Sequence, residues 1–187
     1  MPKPLKICIC AHGSLGDVCP FVPLAIELEK RGYVIKALVN DLFKPLFDKH
    51  GIDAATVGNP LDVNKIRETN QAMACLTEEK GFGLLVDAYM IQNGRTYYQD
   101  TLAELDGADF ALVNTFNRVG LHAVMARSIP WAFVYFTPGS IPTACHGPLH
   151  LPNRGTLINK WTWWLVKKKL SAVENRLRRF LQTLQPN

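Results

Sequence analysis

Apolar residues along most of this chain fall alternately into short β-rich runs and into helically spaced sets. The short runs predict five strands, at Leu5–Ala11, Tyr33–Val39, Ala54–Val57, Phe110–Asn114 and Trp131–Phe136. The helically spaced sets predict helices at Val18–Arg31, Asp41–His50, Leu61–Leu105 (broken near Gly81–Gly83 and Gly94), Leu121–Arg127 and Leu157–Leu184. Strands that alternate with helices predict an α/β fold, a Rossmann-like parallel sheet with helices on both faces.

The order of elements also predicts where a ligand binds. In an open parallel sheet, ligands lie beyond the carboxyl ends of the strands, at the point where the strand order reverses. We expect three loops to meet there: His12–Asp17, Asn114–Gly120 and Thr137–Thr143. His12 in the first loop is expected to be packed or solvated, and His122 in the helix after the second loop is expected to pack or to cap.

Composition narrows the class of protein without identifying a function. The 187 residues suffice for a single domain, residues 1–187, and the net charge of +5 is compatible with an anionic ligand or a membrane surface. The five cysteines form no CxxC pair, and Cys8 and Cys10 share one face of a predicted strand. With no secretory leader, no long uncharged apolar segment and no zinc-ligand spacing, we expect a cytoplasmic protein without a metal site.

The loop AHGSLGDVCP, residues 11–20, carries the candidate chemistry. Leu15 and Val18 stand where a dinucleotide fingerprint GxGxxG needs glycine, and neither a phosphate-binding GK[ST] nor a GxSxG nucleophile motif is present. Asp17 admits two interpretations, as the N-cap of the following helix and as a general base. Gly13 and Gly16 fit a tight turn or a backbone that approaches a phosphate, toward which Ser14 could donate.

Three blocks of sequence resemble the N-terminal, acceptor-binding domain of GT-B glycosyltransferases. They are Gly13-Ser-Leu-Gly16-Asp17-Val-Cys-Pro20 with Arg31-Gly32-Tyr33, then Val113-Asn114 with Thr137-Pro138-x-x-x-Pro142-Thr143, and finally Asn175-x-x-Arg178. The branch that glycosylates sterols, lipids and antibiotic aglycones is the most similar. Leu15 departs from the arginine common in that branch, and Thr115 departs from its proline.

The resemblance implies a reaction and a role for the first loop. Asp17 would be the catalytic base, which takes a proton from the acceptor hydroxyl, while Gly13, Ser14 and Gly16 would lie near the donor phosphates. The donor would be a UDP- or dTDP-hexose, which is a co-substrate, so no cofactor is implied. It would be held by a second domain, which the resemblance places after Asn187, so we expect little or no activity from this chain alone.

The resemblance also implies an acceptor site for an apolar lipid, sterol or aglycone. Its candidate residues lie in the long helical region and in the loops after the fourth and fifth strands: Phe82, Tyr89, Asn114, Phe116, Thr137, Ile141 and His146. Core packing is the alternative for the apolar members. A non-catalytic auxiliary subunit with the same fold, which binds a partner or a hydrophobic ligand, is the alternative function.

The segment NKWTWWLVKKKL, residues 159–170, allows a further interpretation. Trp161, Trp164 and Leu165 share one helical face, and Lys167–Lys169 follow them, so the helix could contact a lipid surface. The alternative is that it packs against this domain or another one.

Overall fold

Five parallel strands form the centre of the molecule. The computed structural model describes residues 3–62, 64, 67–69, 71, 78–137, 141–148 and 151–184. The strands are β1 (Lys6–Cys10), β2 (Val34–Val39), β3 (Asp53–Thr56), β4 (Phe110–Asn114) and β5 (Trp131–Val134). They lie in the order β3-β2-β1-β4-β5, and every neighbouring pair is parallel. The predicted fold class is therefore confirmed.

The described helices follow the strands in alternation. They are α1 (Leu15–Val18), α2 (Phe21–Lys30), α3 (Lys44–Asp48), α4 (Glu78–Leu85), a π-helix (Val86–Ile91), α5 (Gly94–Glu104), α6 (Arg118–Ala126) and α7 (Thr156–Gln182).

Several predicted boundaries are wrong for identifiable reasons. The single helix expected at Val18–Arg31 is two helices, because Pro20 has no N–H to extend α1 and is instead the N-cap residue of α2. The helix expected from Leu121 begins at Arg118, since the Asn117 side chain accepts a hydrogen bond from the Gly120 N–H. The expected strand Trp131–Phe136 ends at Val134, which pairs with the last residue of β4.

The breaks predicted in the long helical region are only partly correct. Gly81 and Gly83 do not interrupt a helix, since both lie inside α4. The helical region is instead interrupted by a turn at Gln92 and Asn93, immediately before Gly94. Much of residues 63–77, which belongs to the same predicted region, lies outside the described residues.

The sheet separates two hydrophobic layers, and alternate residues of β1 enter each. Cys8 and Cys10 belong to the layer under the π-helix, α5, α6 and α7, as their shared face predicted. Ile7 and Ile9 belong to the opposite layer, which α2 and α3 cover. Both faces of β1 are buried, which fixes the position of its carboxyl end and of the loop that follows.

Gly94 allows α7 to approach α5 closely. A Cβ built on Gly94 would lie 2.5 Å from Cε1 and 2.6 Å from Cζ of Phe180. One built on Gly83 would lie 3.4 Å from Nη2 of Arg176 and 3.6 Å from Cγ2 of Val173, which leaves room for a methyl group. We therefore expect Gly94→Ala to lower the free energy of unfolding by about 1–3 kcal/mol through overpacking. The matched Gly83→Ala should leave it unchanged or raise it by up to about 1 kcal/mol. Urea unfolding of both variants measures the difference, and equal stabilities would contradict this packing.

Candidate functional site

The loops after β1 and β4 are joined directly by hydrogen bonds. The His12 N–H donates to Oδ1 of Asn114 at 3.2 Å, and Nδ2 of Asn114 donates to the His12 carbonyl at 2.6 Å. These loops lie at the carboxyl ends of adjacent strands, between which the strand order reverses. Asn114 is 2% exposed, so in this structure its amide positions the first loop. Its predicted contact with an acceptor stays a prediction.

Asp17 uses one carboxylate oxygen to hold its own loop. Its Oδ2 accepts hydrogen bonds from the Ser14 N–H and from the Ser14 hydroxyl, each at 2.8 Å. Ser14 is the N-cap of α1 and Asp17 is its third residue, which is the arrangement of a capping box. Asp17 is therefore not the N-cap itself. Among the described residues Oδ1 of Asp17 has no hydrogen-bond partner, so capping leaves one oxygen that can accept a proton.

Gly13 and Gly16 differ in what the structure requires of them. Gly13 has a φ of 128°, and a Cβ there would lie 2.6 Å from Oδ2 of Asp17. Gly13 therefore makes room for the Asp17 carboxylate. A Cβ on Gly16 would lie 3.6 Å from Oγ of Ser14, an ordinary contact. The approach of both glycines and of Ser14 to a donor phosphate stays a prediction.

Asn117 and Tyr97 form a buried connection beneath this loop that the sequence interpretation missed. Nδ2 of Asn117 donates to the Cys10 carbonyl at 3.1 Å and to the Tyr97 hydroxyl at 2.8 Å, while its Oδ1 accepts from the Gly120 N–H at 2.8 Å. One amide thus caps α6 and ties it to the end of β1. An asparagine just before an apolar helical pattern is an N-cap signal that could have identified it.

His12 packs toward the π-helix, as expected of a packed loop residue. Its ring lies edge-on to Tyr97 with centroids 4.8 Å apart, and it forms a hydrogen bond to the backbone of Tyr89. Its Nδ1 is buried and has no partner among the described residues. Burial lowers the pKa of His12 to about 4, although the Tyr89 hydrogen bond and the charge of Asp17 both raise it. His12 is therefore a neutral group at pH 7.

The low pKa of His12 predicts a stability that depends on pH. The unfolded chain binds a proton on this histidine below about pH 6.5, whereas the folded chain binds it only near pH 4. The free energy of unfolding should therefore fall by up to about 3 kcal/mol as the pH is lowered between those values. Burial also lowers the pKa of His122, which adds a change of the same sign. Urea unfolding at several pH values should show a shallower dependence for His12→Gln than for the wild type; parallel curves would contradict the assignment.

An open cavity of about 260 Å³ lies beside the π-helix. Its walls come from the segment after β3, from the π-helix and from the start of α5: Pro60, Leu61, Asp62, Thr69, Ala88, Tyr89 and Asn93. The loops after β2 and β3 meet at this cavity, since Nδ2 of Asn40 donates to the Asn59 carbonyl and Asn59 donates to Asn93. Tyr89 lines the cavity, and its backbone contacts His12. Tyr89 of the π-helix therefore borders the cavity and also contacts, through its backbone, the loop that carries Asp17.

The remaining acceptor candidates are placed in different surroundings. Phe82 packs against the core, which is the alternative that the sequence left open for it. Phe116 is exposed directly after β4, and Ile141 is exposed as well. His146 is held by α7, because its carbonyl accepts a hydrogen bond from Nε1 of Trp163 at 3.0 Å. Their contact with an acceptor stays a prediction.

The third predicted loop is described only in part. Residues 138–140 and 149–150 lie outside the described residues, and Thr137 is exposed at the end of the segment that follows β5. Phe136, just before it, packs edge-on against Phe21 at the start of α2, with centroids 4.9 Å apart. This contact brings the segment after β5 to the helix that follows the Asp17 loop.

Across the described ranges, no group of three or more histidine, cysteine or acidic side chains could hold a metal ion. No helix in the same part of the chain is both long enough and apolar enough to span a bilayer.

Comparison with known proteins agrees with this geometry. No family profile matches the chain. It is 29% identical over 145 residues to a sterol 3-beta-glucosyltransferase of Leptosphaeria maculans, which covers 73% of this chain and 9% of that protein. It is 26% identical over 182 residues to an uncharacterized glycosyltransferase of Mycobacterium leprae, covering 92% of this chain and 41% of that protein. The crystal structure of the glycosyltransferase of kitacinnamycin superposes on 98% of this chain and 41% of its own length, with a TM-score of 0.62 at 16% identity.

The chain is a glycosyltransferase-like domain. Its parallel sheet and surrounding helices match one part of the GT-B fold. This glycosyltransferase-like domain spans less than half the length of the relatives named above.

Proposed function

We propose that this domain is the acceptor-binding half of an inverting glycosyltransferase. The enzyme would transfer a hexose from a UDP- or dTDP-sugar to a hydroxyl of a lipid, sterol or other apolar aglycone. The observation that carries the proposal is the position of Asp17. It lies in the loop after β1, at the reversal of the strand order, with Oδ2 bonded to Ser14 and Oδ1 without a partner among the described residues.

The chemistry requires a base at this position. The acceptor hydroxyl oxygen attacks the anomeric carbon of the donor, and the bond from that carbon to the diphosphate oxygen breaks. The acceptor proton passes to Oδ1 of Asp17, and the diphosphate leaves with the electron pair. Attack from the face opposite the leaving group inverts the anomeric centre. The hydrogen bonds from Ser14 to Oδ2 keep the carboxylate oriented during this step.

The acceptor would enter through the cavity beside the π-helix. The apolar part of the cavity wall consists of Leu61, Ala88 and Tyr89. Phe116 is exposed on the loop after β4. The mixture of apolar walls with Asp62, Thr69 and Asn93 suits a largely apolar molecule that carries a few hydroxyls. The sterol glucosyltransferase among the relatives supports an acceptor of this class.

The donor would be held mainly by a second domain. In this domain the donor diphosphate would lie near Gly13, Ser14 and Gly16. Backbone N–H groups at the start of α1 can stabilise the negative charge that develops on the leaving diphosphate. This arrangement predicts that the chain alone transfers little or no sugar.

Reconstitution tests the proposal. The chain is co-expressed with the donor-binding half of a related glycosyltransferase, and the complex is assayed with nucleotide sugars against apolar alcohols that include sterols. Transfer that needs both halves is the expected result. A stable complex that transfers no sugar from any donor would instead favour the auxiliary, non-catalytic function.

A further inference from the structure

The two halves of α7 have different surroundings. Val173 and Leu177 of the carboxyl-terminal half are buried in the core layer, and Arg176 forms an ion pair with Asp87 of the π-helix at 3.1 Å. In the amino-terminal half Asn159 is buried and donates to the Ala144 carbonyl and to Asn153. The carboxyl-terminal half is therefore held by the core, and the amino-terminal half is held by the loop that precedes the helix.

The outward face of the amino-terminal half is strongly apolar. Leu157 is 83% exposed, Trp161 58% and Trp164 53%. At 3.6 residues per turn these three side chains fall within an arc of about 60°. By contrast, Trp163 is half-buried and donates its indole N–H to the His146 carbonyl. The exposed tryptophans are thus not part of the packing that holds the helix to the domain.

Lysines lie on both sides of this apolar stripe, and Lys168 lies within it. Lys160, Lys167, Lys168 and Lys169 are exposed, and no acidic residue occurs between Thr156 and Val173. The helical positions of Lys160 and Lys167 place them on one side of the stripe, and that of Lys169 on the other. Nζ of Lys168 lies 5.2 Å from the ring centroid of Trp164. The face therefore combines tryptophan with uncompensated positive charge.

We propose that this face, formed by Leu157, Trp161, Trp164 and the four lysines, docks on an anionic lipid surface. Tryptophan side chains favour the headgroup region of a bilayer, and lysines beside them attract anionic headgroups. The absence of acidic residues from the segment favours this occupant over a protein surface of mixed charge. The helix would lie along the surface, because its exposed apolar side chains form one stripe parallel to its axis. The proposal rests on this face alone and does not depend on the proposed transfer reaction.

Vesicle co-sedimentation of the whole chain tests the proposal. The wild type should bind phosphatidylcholine vesicles that contain phosphatidylserine, and should bind pure phosphatidylcholine far more weakly. Binding should weaken by about tenfold or more in Trp161→Ala/Trp164→Ala. It should weaken by about fivefold for each lysine neutralised in Lys167→Gln/Lys169→Gln, and it should fall as salt is added.

Matched variants elsewhere provide the controls. Trp131→Ala removes a tryptophan that is 38% exposed on β5, and Lys30→Gln/Lys49→Gln removes two exposed lysines from other helices and turns. Both should bind vesicles as the wild type does, and circular dichroism should show that all variants are folded. Equal binding by every variant, or no binding by the wild type, would overturn the proposal. So would a dimer in light scattering that Trp161→Ala/Trp164→Ala dissociates, because the face would then bind a second copy.

Discussion

Asp17→Asn should abolish sugar transfer by the enzyme assembled from this chain and a donor-binding half. The amide oxygen can still accept the hydrogen bonds from Ser14, so the loop should keep its shape, but the amide cannot take up the acceptor proton. We expect kcat to fall about 10²–10⁴-fold, the range that a general base contributes. The free energy of unfolding should change by less than about 1 kcal/mol, because the cap is retained.

Asp106→Asn is the matched control for this variant. Asp106 is exposed before β4, at the amino end of the sheet and far from the loop that carries Asp17. The control should retain wild-type kcat. If Asp17→Asn also retained it, Asp17 would be a structural residue only.

Gly13→Ala should lose both stability and transfer. The alanine would have to adopt a φ of 128°, which is unfavourable for a residue with a side chain. Its Cβ would also lie 2.6 Å from Oδ2 of Asp17, the oxygen that accepts the hydrogen bonds of Ser14. Either the turn or the carboxylate has to move, so we expect a loss of about 1–3 kcal/mol in the free energy of unfolding. Because the same movement displaces the proposed base, kcat should fall about as far as in Asp17→Asn.

Gly16→Ala separates this effect from a general intolerance of the loop. A Cβ at Gly16 meets only Ser14 Oγ, at an ordinary 3.6 Å. Stability should therefore remain near that of the wild type, and the Asp17 carboxylate should keep its position. Urea unfolding of the two glycine variants gives the comparison, and equal losses of stability would contradict the assigned role of Gly13.

The centre of the sheet could be predicted from the sequence because β1 and its neighbours β2 and β4 are largely buried. The β1 sequence KICIC has almost no polar positions, and the runs at β2 and β4 are similar, so the strand type was unambiguous. Helix boundaries were harder to predict, since they depend on single contacts. The break between α1 and α2 depends on Pro20, whose effect the helical spacing of the surrounding apolar residues concealed.

The site was predictable as a location but not in its internal contacts. The loop after β1 identifies Asp17, Gly13 and Gly16 as candidate site residues. Only the folded geometry shows that Oδ2 of Asp17 accepts the Ser14 hydrogen bonds while Oδ1 does not. The hydrogen bonds of Asn117 to Cys10 and Tyr97 join residues far apart in sequence. The π-helix results from a local change of hydrogen bonding that no apolar period encodes, and it brings the Tyr89 backbone to His12.

Photocrosslinking of an acceptor tests the central claim most directly. A sterol that carries a diazirine is bound to the whole chain, irradiated and mapped by peptide sequencing, with unlabelled sterol as competitor. We expect competed labelling of the π-helix around Tyr89 and of the loops at residues 12–17 and 114–117. Competed labelling confined to other surfaces would contradict the proposed acceptor site. So would the absence of competed labelling by every apolar alcohol that the reconstituted enzyme accepts.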